Sequence, residues 1–244
     1  EAAVSYYEDI GVPADSVKEY LINIANSNFE NWRKANKDAD FFDFDFQLNK
    51  MSVSGALFDM VKFFDVSKNV ISRYSAERLY DEVYAWAKKF DNDLVKMLDN
   101  KEYALKVFGI ERNNSNKPRK DIAKWSDVKE NIIYMYERPT EFDFDKINGD
   151  DLSRVLAAFV ETYDENDDNQ AWFEKVKDVA EKCGYAREVK EFKQNPENWP
   201  GHVGDVSTAI RVALTGRRNT HDLCEIMKVL GRDEVVARLN NFIK

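Results

Sequence analysis

The residues from which most catalytic sites are assembled are scarce in this chain, which has two histidines and two cysteines in 244 residues. Two cysteines, Cys183 and Cys224, exclude a disulfide framework and a zinc ribbon. Both fall on apolar helical faces, as reduced thiols of a cytosolic protein do. A Ser-His-Asp triad or a zinc site would have to rest on His202 or His221. Each lies beside a turn, where a histidine is ordinarily a solvent-facing polar residue. Glycines number nine and prolines five. No Gly-rich loop runs into Lys and Ser/Thr to cradle phosphates, and there is no nucleophile elbow. No apolar run approaches the length of a membrane span, and no signal peptide opens the chain. No catalytic residue, no metal ligand and no resident cofactor are assigned.

Strand-type alternation is equally scarce, and what remains is helical periodicity, so an all-α fold is expected. Helices are predicted from about Asp15 to Ala25, around Phe29–Lys34 and around Gly55–Phe63. Between them Phe41 to Phe46 alternates ring and acid, read as a loop whose rings plug the core, with a short strand the alternative. Ser75 caps an amphipathic helix with Leu79, Val83, Trp86, Ala87 and Phe90 on one face, and a helical pair follows through Ile110. The polar run Glu111–Arg119 reads as a loop. Asp121–Tyr136 reads as helix, and Arg138-Pro139-Thr140 as a boundary. Leu152, Val155, Leu156, Phe159, Val160 and Tyr163 recur at helical spacing. Trp172, Phe173, Val176, Val179, Ala180 and Cys183 form the partner face, ended by Gly184. Asn195–Gly201 is a turn-rich connector. Three units are expected: 1–74, 75–138 and 139–244.

The formal net charge of −9 argues against nonspecific DNA binding, but its distribution is uneven. Pro139 to Gln170 holds ten acidic residues against Lys146 and Arg154. Arg112 to Lys129 carries a local +4, and Asp205 to Lys244 a local +2. Nucleic-acid binding needs a local positive footprint, not a basic whole. Lys117, Arg119, Lys120 and Lys124, with Trp125, are one such footprint, suited to phosphate contact. The alternative reading is a soluble loop and helix start.

The other footprint surrounds a helix, a sharp turn and a second helix near the C-terminus. Val206, Ile210, Ala213 and Leu214 recur at helical spacing, as do Leu223, Ile226, Met227 and Leu230. Gly216 ends the first run, and Asn219 or Thr220 can cap the second. Arg211, Arg217 and Arg218 place three guanidiniums around this turn, which suits phosphate oxygens and base edges. By spacing alone, a charged corner that keeps the turn soluble fits equally well.

The run Arg211-Val212-Ala213-Leu214-Thr215-Gly216, the polar turn and the Leu-rich helix resemble the C-terminal anticodon-binding part of bacterial glutamyl-tRNA synthetases, which are class I enzymes. Met51 to Asp59 with Lys62 resembles that family's stem-contact segment. Tyr7-Glu8-Asp9-Ile10-Gly11-Val12-Pro13 is similar to the stretch after its catalytic signature loop. The resemblance implies a stem-contact unit (1–74) and two helical anticodon-binding units (75–138 and 139–244). Positions matching Arg211, Thr220 and Leu223 would face the anticodon, with Arg217, Arg218 and Asn219 beside them, and Leu223 would pack on an unstacked base. His221 stands where many relatives carry Pro. The implied partner is tRNA(Glu), with tRNA(Gln) a second candidate, and no membrane or DNA partner is expected. The parent enzyme would use ATP and Mg to join glutamate to tRNA in the cytoplasm.

That chemistry needs a nucleotide-binding domain, and two fragments here only mimic its signatures. Lys50-Met51-Ser52-Val53-Ser54 lacks the second lysine of Lys-Met-Ser-Lys-Ser. His202-Val203-Gly204-Asp205 lacks the second histidine of His-Ile-Gly-His. The chain does not begin with Met, so a fragment or processed product is expected, inactive alone. Asp164–Asn169 opens like a calcium loop, but Asn169 replaces the required glycine and Lys175 the bidentate glutamate. Asn113-Asn114-Ser115 is a sequon only in form. Two other readings stay open: the helical cage of a class I lysyl-tRNA synthetase, and a helical protein-interaction scaffold.

Overall fold

The computed structural model describes residues 4–51, 57–112 and 118–244. Among them helices dominate, there is no strand, and a single parallel bridge joins Ala186 to His202. Two compact units divide the chain, Glu1–Asn131 and Ile132–Lys244.

The first unit opens with α1 (Val4–Ile10), α2 (Ala14–Ala25) and α3 (Phe29–Ala35), close to the periodicity. Next comes α4 (Met60–Ser72), capped by Asp59, whose carboxylate accepts from Val61 and Lys62 N–H groups. The helix expected around Gly55–Phe63 therefore begins later and runs further. Ser52–Ala56, part of both the stem-contact segment and the Lys-Met-Ser look-alike, lies outside the described residues. Tyr20, Phe63 and Val12 are buried together, with Tyr7, Ile10 and Val17 against them. Glu19 is buried between Arg33 (2.6 Å) and Arg73 (2.5 Å), a charge that burial alone would forbid. Phe41 is buried and Phe44 meets Phe29 and Trp32, but Phe42 and Phe46 face solvent, so only half of that alternating run plugs the core.

Ser75 accepts from Arg78 N–H and starts α5 (Ala76–Phe90), followed by α6 (Asn92–Met97) and α7 (Lys101–Gly109). Leu79, Val83 and Ala87 are buried, whereas Phe90 is exposed and Trp86 sits at the margin. Trp86 donates instead to the Glu8 and Asp9 carbonyls. The expected helix over Asp121–Tyr136 is broken. A 3-10 turn at Trp125–Asp127 leads into α8 (Val128–Ile132) and a second 3-10 turn at Ile133–Met135. The break follows from Gly11, at φ +81°, whose carbonyl accepts from Trp125 N–H at 2.8 Å. A Cβ at Gly11 would lie 2.6 Å from Trp125 Cβ, so only glycine permits the approach.

In the second unit, α9 (Gly149–Thr162) and α10 (Asn169–Lys182) pack as the spacing predicts, and Gly184 at φ +77° follows α10. Phe173 departs from the expected face and is exposed. After α11 (Val189–Gln194) come α12 (Val203–Thr215), α13 (Leu223–Leu230) and α14 (Arg232–Asn240). Val155, Leu156, Phe159, Val176, Val206, Ile210, Leu214, Leu223 and Leu239 share one core. Both cysteines are buried and free; burial pushes the Cys224 thiol up to about 11, so at neutral pH it is protonated and inert.

Candidate nucleic-acid interface

Helix α12 begins on an unexpected cap. His202 Nδ1 accepts from Gly204 N–H at 2.9 Å, while Asp205 accepts from His202 N–H at 2.9 Å. His202 also meets the Phe192 ring edge-on. It is a half-buried capping residue, which corrects the expectation of a solvent-facing histidine. At the other end Gly216 has φ +73°, and a Cβ there would lie 2.6 Å from the Glu141 carbonyl oxygen. The residue must be glycine both for its conformation and for that approach.

From Gly216 the chain turns to Asp222, which caps α13 by accepting from Glu225 N–H at 2.9 Å. Asn219 and Thr220, the expected caps, do other things. Asn219 is exposed. Thr220 is 7% exposed; its Oγ1 accepts from the Arg211 guanidinium and donates to the His221 carbonyl at 3.1 Å. Arg211 also donates to the His221 carbonyl at 2.7 Å. Thr215 Oγ1 donates to the Arg211 carbonyl at 2.7 Å and accepts from Arg217 N–H at 3.2 Å. Arg211 is thus fixed across nine residues of chain, its guanidinium forming part of the turn. The Arg217 guanidinium lies 5.9 Å from the centre of the Tyr134 ring. Tyr134 hydroxyl and His221 Nδ1 are 3.1 Å apart.

Arg218 points to the preceding acidic segment. Its guanidinium meets Asp143 at 3.0 Å and Asp145 at 3.1 Å. Leu223 is 1% exposed and belongs to the core. This corrects the expectation that it packs on a base: in this conformation its role is to seat α13 beneath the turn.

One residue that periodicity does not single out underpins this corner. Arg238 is 4% exposed and donates to the Leu214 and Tyr134 carbonyls, both at 2.7 Å. Its Nε meets Glu234 at 2.7 Å, and Glu234 also accepts from Arg138. The Arg138 hydrogen bond, opposed by partial burial and reinforced by Arg238, holds the Glu234 carboxyl at about 2.

The other basic stretch is less open than its charge suggests. Arg112 is partly buried and donates to the Ile71 and Tyr74 carbonyls at 2.8 and 2.9 Å, closing the end of α4. Arg119 meets Asp121 at 2.5 Å, and Lys124 bonds Asp127. Trp125 is buried, so it offers no stacking face, which corrects its place in that patch. Lys120 is exposed. Lys117, and the sequon Asn113-Asn114-Ser115, lie outside the described residues. Among the described residues no cluster of His, Cys, Asp or Glu could hold a metal ion, and no helix is long and apolar enough to cross a membrane. The Asp164 segment that opens like a calcium loop instead pairs Asp167 with Lys175 at 2.6 Å.

The family described as anticodon binding domain matches residues 200–243, the stretch from before α12 through α14. Glutamate–tRNA ligases of Clostridium perfringens and Acetivibrio thermocellus are 44% and 42% identical to the chain, over 100% of its length. The chain spans about 45% of the length of each. In structure it is similar to a glutamate–tRNA ligase of Elizabethkingia meningosepticum, at 16% identity and TM-score 0.64, over 96% of this chain and 42% of that one. A glutamate–tRNA synthetase of Elizabethkingia anophelis gives TM-score 0.60 at 18% identity, over 97% and 42% of the two chains. These likenesses in structure establish a common helical fold. By sequence the chain matches the C-terminal part of glutamate–tRNA ligases over its whole length, with residues 200–243 matching the anticodon binding domain.

Proposed function

We propose that the chain is the tRNA-binding portion of a glutamate–tRNA ligase that recognises the anticodon of tRNA(Glu). The single observation that carries this reading is the coincidence of the braced turn between α12 and α13 with the matched anticodon binding domain. Arg211, Arg217, Asn219 and Thr220 shape the surface at that turn. Arg211 sits where a guanidinium can reach unstacked bases without first being ordered, so little rotamer entropy is lost on binding. Residues 1–74 would be the stem-contact unit and 75–138 and 139–244 the two anticodon-binding units, one end of the chain reading the anticodon and the other bracing the inner corner of the tRNA. In the parent, ATP and Mg would supply the activation chemistry, and binding here would orient the acceptor end. A cytoplasmic setting follows from that role, and tRNA(Gln) is the second candidate partner.

A gel-shift titration with tRNA(Glu) transcript across salt concentrations tests the reading. Binding at low salt that weakens linearly in log–log form supports it. No binding even at low salt would remove the RNA role and leave the interaction-scaffold reading. Preference for a transcript with a lysine anticodon would transfer the chain to the lysyl alternative.

A further inference from the structure

The segment 139–147 joins the α8 region to α9. Phe142 and Phe144 stack on one another and meet Phe242 edge-on at 4.8 and 5.2 Å, and Ile147 enters the core. The alternate residues Glu141, Asp143 and Asp145 are exposed. With the alternate rings packed against Phe242, these carboxylates form an exposed row of negative charge. Among the described residues, none of 139–147 makes a backbone–backbone hydrogen bond. Side chains alone hold the segment, so it can shift without breaking a ladder. It also passes directly against the turn, with the Glu141 carbonyl over Gly216.

Arg218 lies on this row. One terminal nitrogen donates to the Asp143 carboxylate at 3.0 Å and the other to Asp145 at 3.1 Å, while Nε donates to the Asp143 carbonyl at 3.0 Å and lies 3.0 Å from the Asp143 carboxylate. This forked geometry is the one in which arginine grips a phosphate. The pair is nevertheless cheap to break, because Arg218 is 42% exposed and the carboxylates 68% and 58%.

We propose that the acidic edge of residues 141–145 stands in for RNA phosphates on Arg218 and is displaced by the tRNA backbone. This rests on the reading of the turn as an anticodon site. Arg218 then contributes to affinity only by exchanging carboxylate for phosphate. The freed aspartates take up counter-ions that offset those released from the RNA. An anion lacking enough contacts elsewhere on the turn cannot complete the exchange, so the row filters out loosely bound polyanions.

The test is a double-mutant cycle on the 244-residue chain, with tRNA(Glu) transcript titrated at several salt concentrations. Asp143→Asn with Asp145→Asn keeps size and shape while removing charge. We expect it to bind about 3- to 10-fold tighter at moderate salt. The slope of log affinity against log salt should steepen by about 0.7. In an Arg218→Ala background the same pair of substitutions should change affinity less than twofold, by about 0.4 kcal/mol. Unchanged affinity in the double asparagine variant overturns the proposal. So does a full gain that persists without Arg218, since that would be general charge repulsion. If the parent chain and the asparagine variant both fail to bind at low salt, the anticodon reading itself falls.

Discussion

The stretches 112–129 and 205–244 both carry an excess of positive charge along the sequence, and the fold disposes of that charge in different ways. In the first, Arg112 closes α4, Arg119 and Lys124 are tied to carboxylates two and three residues away, and Lys129 lies 3.8 Å from Asp93. Among the described cations of that stretch, Lys120 remains exposed. In the second, Arg211 and Arg238 direct guanidinium hydrogens to hydroxyl and carbonyl oxygens across the corner where α12 ends. A neutral acceptor fixes where a guanidinium sits, whereas a neighbouring carboxylate also cancels its charge. Partner type therefore separates most of the cations of the two stretches, with Arg112, which bonds carbonyls in the first, and Arg218, which meets Asp143 and Asp145 in the second, as exceptions.

The largest expected effect breaks that corner from beneath. Arg238→Ala would leave the Leu214 and Tyr134 carbonyls and the Glu234 carboxylate without their buried donor. Leaving a buried acceptor without its donor costs about 1–3 kcal/mol, and Glu234 keeps Arg138 as a partner. Denaturant unfolding should show a loss of that size in the unfolding free energy, while Lys129→Ala should change stability by less than about 0.5 kcal/mol. The same brace sets an acid limit. The folded-state value for Glu234, about 2, lies below its ordinary 4.5. Its contribution is therefore present above pH 4.5 and is lost as pH falls toward 2. Unfolding measured between these values should show an acid-side loss that Glu234→Gln removes. An equal loss in that variant would assign it to other carboxylates.

Much of the scaffold was readable from periodicity and caps. Ser75 before α5, Gly184 after α10 and Gly216 after α12 mark helix ends because each residue type suits that backbone position wherever it occurs. The corner itself was less readable. Asn219 and Thr220 look like caps for α13, but Thr220 is drawn inward by Arg211, nine residues back, and Asp222 takes over. Leu223 suits a base-facing or a core position equally well, and burial by α9 and α10, far away in sequence, decides for the core. Arg112 and Arg238 resemble ordinary surface cations because the carbonyls they satisfy belong to distant segments. Side-chain pairings at long sequence separation carry no local pattern.

A smaller effect sharpens the comparison without unfolding anything. Arg211→Ala should reduce discrimination between tRNA(Glu) and a transcript with a changed anticodon by about 1–3 kcal/mol. Thr220→Val should reproduce part of that loss, because it removes the hydroxyl that positions the guanidinium. Competition binding with the two transcripts reads the difference. Equal losses for cognate and altered anticodons would reduce Arg211 to a phosphate contact.

The smallest effect belongs to the other stretch. Lys120 is an exposed cation with no ion pair to a described residue, so it is available to a phosphate. Lys120→Ala should weaken every tRNA alike, by about two- to fivefold, and reduce the salt slope by about 0.9 if the contact is to duplex backbone. The matching change Arg119→Ala should do less, since Asp121 already holds that guanidinium at 2.5 Å and would be left as an exposed negative charge. A larger loss from Arg119→Ala would show that Arg119 leaves Asp121 when RNA arrives. Partner identity would then describe only the unbound corner, and the contrast between the two stretches would fail.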